Sequence, residues 1–395
     1  MHPLIIIGTG LAGYTLAREY RKLDASSPML LITADDGGFY SKPMLSNAFA
    51  QRRSPTQLVT QSAAQMAAQL GATILTGTRV QGIDAAAKSV ITSGGVFEYD
   101  KLVLAAGAQP IRLAIEGNAS GDVMSVNHVQ DYARFRQRID AAGTRSRVAI
   151  LGAGLIGCEF ADDLAGAGHE TVLIDPNPLP LSALAAPALS QGLHSALTKR
   201  GVRLELGTVA ARVNRSDGAL ALTLANGKQL IVDVVLSAVG LRPDLRLAQS
   251  AGLSTNRGIL VDVLGQTSAT HVYALGDCAE YAHADGGTRV LPYIAPLMTA
   301  ARAIARTLSG QPTAIDIAKP APVIVKTPSF PLALVPPPAL QSAKGNWHSE
   351  QQGAHTVCRF YDDSGVMRGF GVAPQEAGLR QALLAELDKV PVAAM

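Results

Sequence analysis

A short apolar run, Leu4 to Ile7, ends in Gly8-Thr9-Gly10-Leu11-Ala12-Gly13 and passes into Tyr14 to Tyr20, which has helical spacing. No other stretch restricts the fold as tightly. The pattern predicts a strand, a tight turn and a helix. Gly8 makes the turn, Gly10 lets a pyrophosphate approach the backbone, and Gly13 lets the helix pack against the strand. Unpaired N–H groups and the helix dipole favour negative charge at such a start, by roughly 0.3–1 kcal/mol when exposed and up to ~2 kcal/mol when partly buried. For a single copy, a glycine-rich turn without a ligand is the competing account.

The pattern recurs 144 positions later. Val148 to Leu151 lead into Gly152-Ala153-Gly154-Leu155-Ile156-Gly157, followed by Cys158-Glu159-Phe160-Ala161. Two copies, each in strand–turn–helix context, imply two nucleotide sites and two dinucleotides able to exchange electrons. The next strand in each copy ends at an acid. Asp35 lies 22 positions past Gly13, at the end of Met29 to Thr33. It is assigned to an adenosine ribose, with Asp36 as its rival; either can instead close a turn. Asp175 lies 18 positions past Gly157, and no arginine stands in Pro176 to Pro180. An acid there bonds ribose hydroxyls and repels a 2′-phosphate, which points to NADH over NADPH.

Other stretches repeat a strand-then-glycine pattern that lets the chain turn sharply or pass close to a ligand. They are Leu102 to Gly107, Val234 to Gly240, and Val272 to Gly276 with Asp277 behind it. Asp277 can bond a ribityl hydroxyl or hold water by a phosphate. Hairpins are expected at Ser93-Gly94-Gly95 and at Asn226-Gly227. A helix is expected over residues 131–139, a second over 294–308 and a third over 376–387. The composition shifts near residues 111–121, where a domain crossing is expected.

Several function classes are excluded. The cysteines Cys158, Cys278 and Cys358 are far apart and form no C-x-x-C, so a thioredoxin-like dithiol is ruled out. The histidines lack metal-ligand spacing, no metal site is expected, and no G-x-S-x-G occurs. The net charge of +3 is too mild for a nucleic-acid partner. The longest apolar runs are strand-sized, so no membrane insertion is expected. The first fingerprint starts at Gly8 and leaves no room for a removable leader, so a cytoplasmic protein is expected.

Together the two glycine units, Ala106-Gly107, Gly240-Leu241-Arg242-Pro243 and Tyr273-Ala274-Leu275-Gly276-Asp277 resemble the FAD-dependent pyridine nucleotide–disulfide reductase superfamily. Within it the chain is similar to the rubredoxin–NAD(+) reductases of bacterial alkane oxidation. Residues 8–14, 32–36, 40–46 (Tyr-Ser-Lys-Pro-Met-Leu-Ser), 151–160 and 325–328 carry that likeness. The resemblance implies an α/β fold with two Rossmann-like dinucleotide-binding domains, of glutathione-reductase type, and a small α+β C-terminal domain. It implies an FAD-binding domain from residues 1–112 and 235–314, an NADH-binding domain over 113–234, and a C-terminal domain over 315–395. It carries FAD contacts to Thr9, Gly10, Leu11, Ala12, Gly13, Thr33, Ala34, Asp35, Lys42, Val80, Asp277 and Lys326, with a further contact near Ile294. It sets Glu159 beside flavin and nicotinamide.

The reaction so implied is hydride transfer from NADH to FAD, then two single-electron transfers to rubredoxin, an acidic iron protein. An ion pair of Lys42 with Glu159 is expected beside the flavin. Lys326 is expected to stabilise negative charge on the reduced flavin. A surface loop for Lys42 and a solvated strand end for Lys326 are the bland alternatives. A basic face raises encounter with an acidic partner by roughly 10–10³; Arg52, Arg53, Arg302, Arg306, Lys319 and Lys344 are its candidates. Two departures narrow the choice. Ferredoxin reductases of oxygenase systems usually carry P-L-S-K, whereas residues 44–47 here read Met-Leu-Ser-Asn; and no cysteine lies between Phe39 and Phe49, against peroxide chemistry. A ferredoxin reductase and a slowly turning FAD/NADH-binding signalling protein are the alternatives.

Overall fold

The computed structural model describes residues 2–282, 287–316, 320–338 and 344–389. In chain order its main elements are β1 (Leu4–Ile7), α1 (Leu11–Leu23), β2 (Met29–Ile32), β3 (Thr73–Leu75), β4 (Lys101–Leu104), α2 (Val129–Ala141), β5 (Arg147–Leu151), α3 (Leu155–Gly166), β6 (Glu170–Asp175), α4 (Pro187–Lys199), β7 (Arg203–Leu206), β8 (Val234–Ser237), β9 (Val272–Ala274) and α5 (Ile294–Leu308). The last part adds β10 (Val323–Val325), β11 (Leu332–Val335), β12 (Gly345–Gln352), β13 (His355–Asp362), β14 (Met367–Ala373) and α6 (Ala377–Glu386). Two units result: residues 1–42, 56–109 and 241–320 in one; residues 43–55, 110–240 and 321–395 in the other.

In the first unit, β9, β4, β1, β2 and β3 form a parallel sheet in that order. All four residues of β1 are buried, because both faces of a parallel sheet are covered. Strand alternation divides them. Leu4 and Ile6 join Tyr14, Leu16 and Ala17 of α1 and Ala301, Ile304 and Leu308 of α5. Ile5 and Ile7 join Ile83, Val90, Tyr99 and Val261 on the other side.

In the second unit, β7, β6, β5 and β8 form a second parallel sheet. An antiparallel meander of residues 210–216, 219–224 and 229–232 follows β7. Its middle strand alternates, sending Leu220, Leu222 and Leu224 into a core shared with Ala149 and Leu151. The C-terminal sheet is antiparallel in the order β10, β11, β14, β13, β12. Leu383 of α6 buries against Val335, Phe370 and Val372 of that sheet.

The fold class is the one the sequence implies: two Rossmann-like cores and a small C-terminal α+β domain. Both expected hairpins form, between residues 89–98 and 219–232. The three expected helices are α2, α5 and α6. The helix Ala63–Leu70 escaped notice, although Ser62 and Gln65 write its capping box in the sequence.

The glycine turns show why only glycine serves. Gly8 and Gly152 have φ of +109° and +102°, a region that side chains disfavour. A Cβ on Gly13 would stand 1.9 Å from the carbonyl oxygen of Gly8, and one on Gly157 would stand 1.8 Å from that of Gly152. At Gly154, by contrast, a Cβ meets nothing within 4 Å. Gly157→Ala is therefore expected to lower stability by roughly 1–3 kcal/mol through overpacking. Gly154→Ala is expected to cost far less. Denaturant midpoints of the two variants check the contrast.

Candidate active site

In each parallel sheet the candidate residues gather at the carboxyl ends of neighbouring strands, where open α/β sheets bind ligands. In the first unit Gly8 follows β1, Thr33, Ala34 and Asp35 follow β2, Gly107 follows β4, and Gly276 and Asp277 follow β9. Oδ1 of Asp35 accepts hydrogen bonds from Thr33 Oγ1 at 2.6 Å, from the Gly37 N–H at 2.9 Å and from Thr9 Oγ1 at 3.4 Å. It thus ties the glycine turn to the end of β2. Oδ1 of Asp36 accepts from the Gly38 N–H at 3.0 Å and closes the following turn. A Cβ on Gly276 would meet the Ala12 Cβ at 2.9 Å, so Asp277 stands next to the start of α1. Val80 opens a strand of residues 80–84, and Ile294 is the first residue of α5 and exposed.

In the second unit the same design recurs. Gly152 follows β5, Asp175 ends β6, and Gly240 follows β8. Oδ2 of Asp175 accepts from the Ala153 N–H at 2.6 Å, and Oδ1 accepts from both the backbone and side-chain amides of Asn177 at 2.8 Å. A carboxylate has about four lone-pair sites. The chain fills three of them.

The residues present fit two dinucleotides. Gly10 and Gly154 cap α1 and α3 without a side-chain hydrogen bond. A Cβ on either would meet nothing within 4 Å. The first-turn N–H groups therefore border backbone-lined space suited to a pyrophosphate.

Beyond its first turn, α3 carries Glu159, Asp162 and Asp163, all buried. At positions i, i+3 and i+4 they lie on one side of the helix. Each receives a different set of donors. Glu159, 2% exposed, accepts the Lys326 N–H at 2.9 Å on Oε1. Its Oε2 accepts Ser46 Oγ at 2.5 Å and the ammonium of Lys326. Asp162 accepts the Ser329 N–H at 3.0 Å and lies 3.6 Å from Arg200 Nε. Asp163 accepts the N–H groups of Phe49 and Ala50 at 2.8 and 3.0 Å. Burial pushes the Asp163 carboxyl up to about 6, against the pull of those two bonds. Phe49 is held edge-on by Tyr132, Phe135 and His169. One helix thus fixes residues 43–55 and 326–329.

The cation that this unit places on Glu159 is Lys326, a partner the sequence did not indicate. Lys42 ends the first unit and opens the 3₁₀ turn Lys42–Asn47. Ser46 stood in the motif without a role, and Asp162 and Asp163 were passed over. Their only signal is a pair of adjacent acids, with Glu159, on a helix whose remaining residues are apolar or small. The three cysteines are free and buried; burial pushes the Cys278 thiol up to about 11 and that of Cys158 higher still. Among the basic candidates, Arg302 and Arg306 are exposed on α5 in the first unit, and Arg52, Arg53 and Lys344 are exposed in the second. Lys319 lies outside the described residues.

Residues 2–305 match the family described as pyridine nucleotide-disulphide oxidoreductase, and residues 318–387 match the rubredoxin binding C-terminal domain. The rubredoxin-NAD(+) reductase of Alcanivorax borkumensis is 42% identical over 391 residues, covering 99% of this chain and 100% of that one. The nitric oxide reductase FlRd-NAD(+) reductase of Aeromonas hydrophila is 38% identical over 98% of this chain and 96% of its own. Among solved structures, the ferredoxin reductase for the CYP199A2 system from Rhodopseudomonas palustris is 25% identical, with a TM-score of 0.88 over 99% of this chain and 96% of that chain.

Two outcomes follow from α3. Lys326→Met strands the Glu159 carboxylate. The expected cost is about 2–3 kcal/mol, below the roughly 3–5 kcal/mol of a fully buried pair, because the Lys326 side chain is 30% exposed. Adding Glu159→Gln should recover more than half of it; a loss that Glu159→Gln leaves unchanged means that the two side chains are not coupled. Asp163 binds its proton more tightly in the folded chain than in the unfolded one. Between the ordinary value of 3.8 and about 6 the folded chain therefore holds more protons, and stability falls as pH rises through that window. The total fall is about 2–3 kcal/mol. Asp163→Asn should flatten this slope, read from urea midpoints taken across it.

Proposed function

The chain belongs to the pyridine nucleotide-disulphide oxidoreductase family, and from that premise we propose that it passes electrons from NADH, through FAD, to rubredoxin. The observation that carries this reading is the full-length likeness to a rubredoxin-NAD(+) reductase, with the rubredoxin-binding match over residues 318–387. When bound, FAD accepts a hydride and releases electrons singly, which links a two-electron donor to a one-iron acceptor.

The chain's own residues bind and orient. In this reading residues 1–112 and 235–314 hold FAD, residues 113–234 hold NADH and residues 315–395 meet rubredoxin. Gly8 to Gly13, with the first turn of α1, take the FAD pyrophosphate, and Asp35 takes its ribose. Gly107, Gly276 and Asp277 border the same nucleotide at neighbouring strand ends, with Thr33, Ala34, Val80 and Ile294 as further contacts. Gly152, Gly154, Gly157 and Gly240 do the same for NADH. Asp175, held by Ala153 and Asn177, accepts a ribose hydroxyl and repels a 2′-phosphate. Of the charged groups assigned to the redox headgroups, Lys42 belongs to the first unit, and Glu159 and Lys326 belong to the second. Lys326 stabilises negative charge there, and Glu159 holds Lys326 in place.

Ferredoxin, the partner class of the R. palustris enzyme, is the competing acceptor; the match over residues 318–387 favours rubredoxin. We place the protein in the cytoplasm, feeding an alkane hydroxylase-type chain. Among the described residues no helix is long and apolar enough to cross a membrane.

The test is anaerobic. NADH should bleach the yellow protein far faster than NADPH does. Oxidised rubredoxin should then restore the colour while its own iron is reduced. Bleaching without transfer to rubredoxin, but with rapid transfer to a [2Fe-2S] ferredoxin, replaces the acceptor. A colourless protein that FAD cannot reconstitute overturns the whole assignment.

A further inference from the structure

Asn47 stands beside the Glu159–Lys326–Ser46 cluster and has no part in it. It ends the 3₁₀ turn and is 8% exposed. Its Nδ2 donates to the backbone carbonyl of Lys326 at 3.1 Å, which fixes which end of the amide faces that way. The other end, Oδ1, is shielded from solvent and has no hydrogen-bond partner among the described residues. A buried acceptor left in this state is costly and rare in folded proteins.

The donors named around it are directed elsewhere. The ammonium of Lys326 lies on Glu159 and 3.4 Å from Ser46 Oγ. The Ser46 hydroxyl donates to Glu159. The N–H groups of Phe49 and Ala50 go to Asp163. Asn47 also has little freedom to find another partner. Ser46 before it and Phe49 after it are both tied to α3, and its own amide is tied to Lys326. The chain holds an acceptor rigidly beside a polar cluster, and no described residue supplies a donor to it.

We propose that Asn47 Oδ1 is a further contact of the redox headgroups, accepting a hydrogen bond from a ring or carboxamide N–H of a bound cofactor. This rests on the FAD/NADH reading above. Two headgroups offer that chemistry, the isoalloxazine ring of FAD and the carboxamide of the nicotinamide. Both are planar and carry an N–H that survives burial only when paired.

The test needs no turnover. Asn47→Leu keeps the shape and removes both the acceptor and the Nδ2 donor to Lys326; Asn47→Ala carries the same test should the leucine variant not fold. The visible spectrum and midpoint potential of the holoprotein are recorded without pyridine nucleotide, and the NAD(+) Kd is then read from perturbation of the flavin band. If the flavin is the donor, the spectrum and potential shift while the NAD(+) Kd stays within about twofold. If the nicotinamide is the donor, the flavin is unchanged and NAD(+) binds roughly five- to tenfold more weakly. In that case 3-acetylpyridine adenine dinucleotide, which lacks the carboxamide N–H, binds wild type and variant alike. Asn47→Asp, which restores an acceptor, should regain NAD(+) affinity, as a merely structural role would not require. Unchanged spectrum, potential and Kd in the leucine or alanine variant overturn the proposal and leave Oδ1 to a water molecule. A wild-type protein that binds neither FAD nor NAD(+) overturns the cofactor reading itself, a result distinct from unchanged variants.

Discussion

Three carboxylates buried on one helix cannot be left alone. Desolvating a charge costs several kcal/mol per ion unless hydrogen bonds and opposite charge offset it. On α3 the offset comes from segments far away in sequence, and the need for it fixes those segments. Glu159 requires the ammonium and the N–H of Lys326 and the hydroxyl of Ser46. Asp163 requires the two N–H groups after the 3₁₀ turn, and Asp162 requires Ser329 and Arg200. The stretch Pro43–Pro55 and the strand end at Lys326 are thus located by charge as much as by apolar packing. Apolar packing tolerates small slides, whereas paired N–H donors on one carboxylate set position to within a fraction of a hydrogen-bond length.

The same helix begins at a nucleotide turn. Its first N–H groups border the space at Gly154, and Glu159 follows one turn later. A rigid helix converts a fixed pyrophosphate into a fixed carboxylate, since 1.5 Å of rise per residue leaves little slack over five positions. Asp175 works from the other side of the turn. It is immobilised by Ala153 and Asn177, so in the proposed reading coenzyme choice rests on a group that need not reorganise when the ribose arrives. Asp35 repeats this in the first unit through Thr9 and Thr33.

What the sequence discloses and what it hides divide by distance along the chain. The glycine turns are legible because their tightest contacts lie within six residues: Gly13 faces Gly8, and Gly157 faces Gly152, while the contacts of Gly8 with Ala105 and of Gly152 with Ala238 leave no local mark. The strand-end acids Asp35 and Asp175 are legible because a strand–helix–strand unit sets their spacing. The Glu159–Lys326 pair joins residues 167 positions apart, and no periodicity marks it. Asp162 and Asp163 carry charge, and charge on a helix ordinarily means a solvated face. Only packing shows them to be fully enclosed. Resemblance supplied Glu159 and Lys326 one at a time, each through a cofactor, and so missed that they touch each other.

The fate of the thiols bears on where electrons leave. Members of this superfamily that reduce disulfides need a thiol that can act as nucleophile, and a thiol acts as a nucleophile when it is deprotonated. Here Cys278 is sealed at the end of β9, with its sulfur 3.4 Å from the Leu104 carbonyl, and burial holds its proton on. Cys158 sits inside α3, where burial, with the neighbouring carboxylates adding to it, holds its proton on more firmly still. Neither can store reducing equivalents as a thiolate pair, and residues 39–49 contain no cysteine to replace them. A separate carrier as the electron acceptor is favoured instead by the match over residues 318–387 to a rubredoxin-binding domain.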